Sequence, residues 1–285
     1  MKTAYAKHIF SLLLFGANGI VASYIPLSSL QIVLLRTALG SLFLAAVFFS
    51  SGGRLTFYRH KKAFAALAVS GIAMGASWLF LYEAYTQIGV SLASLAYYCG
   101  PVIVMILSPL LFGERLTQAR VFSFLTVLLG IFLVNGSLGR EGGNLWGLFC
   151  GAMSAVCYAL MVIFNKKAGK IPGLENAMLQ LVTSFLLVAV FVGIKGGYPI
   201  PISIHSLLPI LVLGLVGTGF GCWLYFSSIG ALPVQTVSIC GYLEALSAVI
   251  FSVLFLHETL LPAQIAGAVF IVGGAIFGEL KKPIG

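Results

Sequence analysis

Ten windows of about twenty mostly apolar residues cover this chain almost end to end, and few folds can accept such a pattern. They fall at about 5–25, 29–50, 63–86, 91–112, 118–137, 144–165, 175–195, 206–228, 233–256 and 262–280. A helix of that length crosses a hydrocarbon core roughly 30 Å thick. Lipid offers no water to a backbone whose hydrogen bonds are not made internally, so spans of this kind must be helices. Hydrophobic residues are 60% of the chain and charged ones 8%, where a soluble domain carries roughly a quarter charged. The expected fold is an all-α polytopic membrane protein with ten transmembrane helices and no soluble domain. The third and fourth windows are separated only at Ile88-Gly89, and the eighth and ninth at Ile229-Gly230 with Pro233 nearby. The opening MKTAYAKH and the apolar run behind it lack a small-residue cleavage site leading into a soluble domain, and are read as a retained first span.

The basic residues give these spans a direction. The net charge of +9 would suit nucleic acid only if it formed a solvated stripe; instead it sits in short clusters between apolar blocks, so no nucleic-acid partner is expected. With the N-terminus in the cytoplasm, thirteen lysines and arginines lie on one side: Lys2, Lys7, Arg54, Arg59, Lys61, Lys62, Arg115, Arg120, Lys166, Lys167, Lys170, Lys281 and Lys282. Only Arg140 and Lys195 lie on the other, and Arg36 is inside a span. Positive loops stay cytoplasmic. The chain is therefore expected in the cell membrane with both termini in the cytoplasm.

A fixed offset divides the chain in two. Residues 99–116 (CGPVIVMILSPLLFGERL) find a counterpart 144 positions later in 243–260, and Arg36/Gln180, Tyr98/Tyr242, Glu114/Glu258 and Gly130/Gly274 obey the same step. The expected units are 1–137 and 144–285, joined by the loop 138–143 (LGREGG). Five spans per unit is an odd number, so the second must enter the membrane the other way round. Inverted repeats of this kind are a hallmark of secondary transporters, whose substrate site lies near the midplane between the halves.

Leu35-Arg36 in the second span, Pro101 followed by FGERL at 112–116, and Leu243-Glu244-Ala245 followed by His257-Glu258-Thr259 resemble the drug/metabolite transporter superfamily, specifically its EamA-type ten-helix members. The resemblance covers the chain as two units. It departs at Ala245, where proline is usual, and at His257, where glycine is common. It implies a bundle around a central cavity that transports small metabolites, often amino acids and often outward.

An ionisable side chain at mid-span costs about 2.5–3.5 kcal/mol on insertion scales, so each one needs a reason. Arg36 is a candidate for holding a substrate carboxylate, or alternatively for pairing with Glu83. Glu83 sits beside an aromatic face of Trp78, Tyr82 and Tyr85, which could take a ring or an organic cation; Tyr85 itself is read as part of an interfacial belt. Glu244 is nearest the midplane on a face of small residues, where a lone carboxylate can bind substrate or carry a coupling proton. Tyr98 and Tyr242 form a pseudo-symmetric aromatic pair, and Asn18, Tyr158 and Trp223 are polar or aromatic groups on small-residue faces. Pro101 cannot donate a backbone hydrogen bond and would leave the Tyr97 carbonyl free to line a water-filled cavity. The candidate substrate-binding set is therefore Asn18, Arg36, Trp78, Tyr82, Glu83, Tyr98, Pro101, Tyr158, Trp223, Tyr242 and Glu244.

Other features point to structure. Glu114 and Glu258 stand at span ends beside helix starts, where the helix dipole favours a carboxylate. Gly71/Gly75, Gly147/Gly151 and Gly274/Gly278 have the spacing of close helix contacts. Five cysteines without a CxxC pair, and scattered His60, His205 and His257, offer no metal cluster. No Walker loop, nucleophile elbow or HExxH is present. No enzyme activity, cofactor or metal is expected. The reading is a secondary-active transporter working by alternating access as a monomer or homodimer, its substrate an amino acid or related metabolite. An organic-cation carrier and a non-transporting membrane subunit are the alternatives.

Overall fold

The computed structural model describes residues 2–114, 117–135, 144–171, 173–196, 204–256 and 261–280. The expected loop at 138–143, Arg115, Leu116, His257, Glu258, Thr259, Lys281 and Lys282 lie outside them, as do the side chain of His205 and the surroundings of Gly278. Among the described residues the chain is all helix and turn: α1 (Lys2–Ser23), α2 (Ser29–Ser50), a 3-10 turn (Phe57–Arg59), α3 (Lys61–Tyr97), α4 (Gly100–Phe112), α5 (Gln118–Asn135), α6 (Leu145–Lys167) and α7 (Gly173–Ile194). There follow α8 (Ile204–Leu211), a π-helical segment (Val212–Phe220), α9 (Gly221–Ile229), α10 (Val234–Gly241), α11 (Leu243–Leu256) and α12 (Pro262–Leu280). Seven helical stretches here are long and apolar enough to cross a membrane, and shorter apolar helices lie at Gly100–Phe112, Gln118–Leu133 and Ile265–Gly274.

The two weakest boundaries turn out differently. At Ile229–Pro233 the chain reverses, because Pro233 fixes its φ and lacks an N–H, so α10 starts afresh behind it. The position 144 earlier is Gly89, and there the helix runs on. α3 continues for 37 residues, about 55 Å at 1.5 Å per residue, so the expected break at Ile88-Gly89 is corrected to Tyr98–Cys99. There the Cys99 N–H bonds back three residues to Ala96 O at 3.1 Å. Tyr242 separates α10 from α11 with a bond of the same kind placed one position earlier in the repeat, its N–H reaching Ile239 O at 3.4 Å. The backbone is alike at both, with ψ of −3° at Tyr98 and −14° at Tyr242. The repeat mates thus share a tightened turn although one half has Pro101 and the other Ala245. Proline is not its cause: Pro101 lies in the first turn of α4, where a missing N–H costs nothing.

The packing follows the same offset. α1 lies against α9, the π segment and α11; its mate α6 lies against α3 and α4. α2 packs on α7, and α5 on α12. At the α5–α12 contact a Cβ on Gly130 would meet Gly267 O and Ile271, and one on Gly274 would meet Ser123 O and Val127. Adding 144 to 123, 127 and 130 gives 267, 271 and 274. The two helices therefore run antiparallel about a local twofold axis, pinned by the Ser123 hydroxyl donating to Gly274 O at 2.5 Å. Gly71 and Gly75 admit Thr183 and Ser184 of α7, and Gly151 admits Ala96.

One end of the bundle is tied by charge. The Glu175 carboxylate accepts from the Thr56 and Phe57 N–H groups at 2.6 and 2.9 Å and from the Thr56 hydroxyl at 2.6 Å. Glu114 caps α10, accepting from Val234 and Gln235 N–H at 2.7 and 3.1 Å. Lys166 donates to the carbonyls of Ile229, Gly230 and Leu232 at the end of α9. Glu114 therefore does stabilise a helix start, but that of α10 rather than of α5 beside it.

Candidate functional site

Between the helices lies a cavity of about 560 Å³. α1 contributes Phe15, Asn18 and Ala22, and α2 contributes Ser29, Ile32 and Arg36. α3 supplies Met74, Ser77, Trp78, Tyr82, Tyr85, Thr86 and Tyr97; Tyr98 lies just beyond it. Tyr158 and Met161 of α6, Cys222, Tyr225 and Phe226 of α9, and Glu244 of α11 complete it. At the end beside the turn between α1 and α2 the lining residues Gly19 and Thr86 are exposed and Ala22 and Ser29 half-buried, so the mouth lies at that end.

Arg36 is held from two sides. Its Nε donates to the Thr218 hydroxyl at 3.0 Å, and its guanidinium lies 4.6 Å from the Trp78 ring centroid. Thr218 belongs to the π segment, where its own hydroxyl donates to Leu213 O five residues back at 2.8 Å. Single π turns cluster at functional positions. This one contains Gly214, Gly217 and Gly219, which let the backbone of α2 and Asn18 approach: a Cβ on Gly217 would overlap the Asn18 side chain. On the α2 side Gly40 serves the same contact, since it abuts Thr218 and Gly214 O.

Glu244 is the second residue of α11, two positions after Tyr242. α1 approaches it closely because Gly16 lies against Glu244 O and Ser247, and the Ser247 hydroxyl donates to Glu244 O at 2.9 Å. Below it the hydroxyls of Tyr158 and Tyr225 meet at 3.3 Å. Behind Tyr225 stands His8, fully buried, its ring stacked at 5.1 Å and hydrogen-bonded to Ser228 and Val237 O. These groups close the cavity towards the charge-tied end.

Of the eleven expected residues, the cavity brings together Asn18, Arg36, Trp78, Tyr82, Tyr98, Tyr158 and Glu244. Four sit elsewhere. Glu83 accepts from Gln87 at 3.0 Å and from the Trp146 indole N–H at 3.2 Å, tying α3 to the start of α6, so it and Arg36 use different partners. Trp223 has Lys7 5.5 Å over its ring. Pro101 is buried near Gly241, and Tyr242 is buried between α5 and α12 with Phe124, Val127 and Ile271. The carbonyl that gains a partner at the tight turn is that of Tyr98, not Tyr97: the Tyr242 hydroxyl donates to it at 3.0 Å. Phe15, Tyr97, Cys222 and Tyr225 were not expected. Tyr85, assigned to the interface, also lines the cavity.

Comparison with known proteins bears on the family and the fold. The model of the EamA-like transporter family matches residues 3–136 and again 145–278. The transporter YxxF of Bacillus subtilis is 24% identical over 99% of this chain and 91% of its own. A transporter of Archaeoglobus fulgidus is 30% identical over 75% of this chain and 78% of its own. The threonine/homoserine exporter RhtA of Escherichia coli is 24% identical over 96% and 85%. A solved crystal structure superposes with a TM-score of 0.85 over 99% of both chains at 19% identity, which establishes likeness of fold.

Proposed function

This chain belongs to the EamA-like transporter family, and from that premise we propose that it is a secondary-active exporter of an amino acid or related metabolite. It works by alternating access, as two inverted five-helix halves, 1–137 and 144–285, in the cell membrane with both termini in the cytoplasm. One observation carries the reading: a cavity at the junction of the halves is lined by a buried cation, Arg36, and a carboxylate, Glu244. Arg36 takes the substrate carboxylate and Glu244 its ammonium, or a coupling proton once the ammonium leaves. Asn18, Trp78, Tyr82, Tyr98 and Tyr158 surround the side chain. RhtA, an exporter of threonine and homoserine, supports the amino-acid class.

Nine aromatic side chains line the same cavity. That observation favours a second reading, an organic-cation carrier resting on Glu244 and the rings. Both readings are tested by thermal unfolding of the purified protein with amino acids and quaternary amines, because a ligand bound only by the folded state raises its stability. Amino-acid stabilisation that disappears in Arg36→Ala supports the first. Stabilisation by amines that survives in Arg36→Ala would replace it with the second. Substrate flux in proteoliposomes holding only this protein then establishes transport, and the absence of flux for every stabilising ligand would sink the carrier reading.

A further inference from the structure

Tyr98 and Tyr242 are repeat mates, 144 positions apart, yet they occupy different places. Tyr98 lines the cavity, while Tyr242 is fully buried between α5 and α12 and donates its hydroxyl to the carbonyl of Tyr98 at 3.0 Å. The rings are neighbours, with centroids 6.3 Å apart. In the structure described here the bond runs from the Tyr242 side chain of the second half to the Tyr98 backbone of the first, and this asymmetry between equivalent positions can mark which way the protein faces.

The surroundings permit the reverse arrangement. Tyr242 belongs to the buried cluster that holds Val127 and Ile271, themselves repeat mates, and Tyr98 already packs, partly buried, against the edge of the same cluster. Phe124 stands 6.1 Å from the Tyr242 ring. Its mate is Ala268, a smaller side chain that leaves room for Tyr98. The prospective acceptor, Tyr242 O, now takes the Leu246 N–H at 3.3 Å. A carbonyl oxygen has two lone pairs and can accept a hydroxyl as well.

We propose that Tyr98 and Tyr242 exchange roles during the transport cycle. In the state described here, with its mouth beside the α1–α2 turn, Tyr242 is the buried donor and Tyr98 faces the cavity. In the opposite-facing state Tyr98 turns into the α5–α12 slot and donates to Tyr242 O, and Tyr242 faces the cavity. Each hydroxyl stabilises one state alone. The proposal rests on the alternating-access reading above and adds to it two positioning residues with opposite effects.

The test uses the full chain in lipid nanodiscs, with spin labels carried on noncanonical amino acids at Tyr24 and Leu145, so that the five cysteines stay in place. These exposed positions flank the mouth, one beside the α1–α2 turn and one at the start of α6. Pulsed dipolar spectroscopy then reads the populations of open and closed mouth. Tyr242→Phe keeps the ring but removes the bond present now, and should shift the ratio about fivefold towards the closed mouth, the worth of one hydrogen bond. Tyr98→Phe should shift it by a similar factor towards the open mouth, and the double variant should return near the wild-type ratio. Monodispersity by size exclusion checks that each variant is folded. Two populations moved in the same direction by both single variants, or by neither, would overturn the exchange and leave alternating access intact. One unchanging distance in all the proteins would overturn both.

Discussion

Arg36 shows how much a single residue can reveal and conceal in sequence. A guanidinium inside an apolar span must be used, so its importance is legible without a structure. Its partners are not, because Thr218 lies 182 positions away in a π segment and Trp78 on another helix. The Nε–H bond to Thr218 depends on the guanidinium, whose geometry a lysine ammonium does not reproduce. Arg36→Lys should keep the charge and the fold but weaken amino-acid binding about tenfold, corresponding to ~1.4 kcal/mol, measurable as a higher half-saturation concentration in flux. Unchanged affinity would remove Arg36 from the site. Glu244→Gln should leave a protein whose transport no longer varies with external pH; retention of the wild-type pH profile would end its coupling role. Glu83 was equally prominent in sequence and is placed elsewhere, because depth in a span does not reveal that Trp146 waits 63 positions later. Tyr225 and Cys222 were missed because the period of an apolar helix does not separate a cavity wall from a packed core.

At the scale of elements, glycines and tight turns decide where helices meet. The spacing of Gly71/Gly75 and Gly147/Gly151 indicated close approaches before any contact was known, and the structure supplies the partners in α7 and α3. The Tyr98 and Tyr242 turns were less legible. Pro101 and Ala245 suggested different backbones, but the turns lie upstream of both and use i to i−3 bonds that need no proline. Gly130→Val makes a direct test of the α5–α12 twofold: its side chain would meet Gly267 O and Ile271. Overpacking of that kind costs about 1–3 kcal/mol and should lower the unfolding temperature of the protein in detergent. Gly274→Val should do the same from the other side, against Ser123 O and Val127. If only one of the pair lowers it, the contact is not symmetric in energy. Glu114→Ala removes the cap on α10 and should cost about 1 kcal/mol by the same measurement.

For the whole molecule, the basic clusters and the cavity mouth lie at opposite ends. Thr56 bonds Glu175, Glu114 bonds Val234, and Lys166 bonds Leu232, so the connections carrying Arg54 to Lys62, Lys166 to Lys170 and the start of α5 meet at one end. His8 bonds Ser228 near that end, and the Tyr158–Tyr225 pair closes the cavity above it. The mouth is at the other end, by Ala22 and Ser29. Because lysine and arginine in short loops hold those loops in the cytoplasm, the proposed orientation would make this the outward-facing state, with the mouth on the release side of the proposed export. Charge counts need no contacts, so an orientation could be proposed from the sequence alone. The helix count was less legible, because a glycine at 89 without a proline does not end a helix. The orientation has a direct check in intact cells. An epitope inserted in the loop 138–143 should be reached by antibody from outside, while epitopes at either terminus should be reached only after permeabilisation. Staining of a terminus without permeabilisation would reverse the orientation, and with it the assignment of the present cavity to the releasing side.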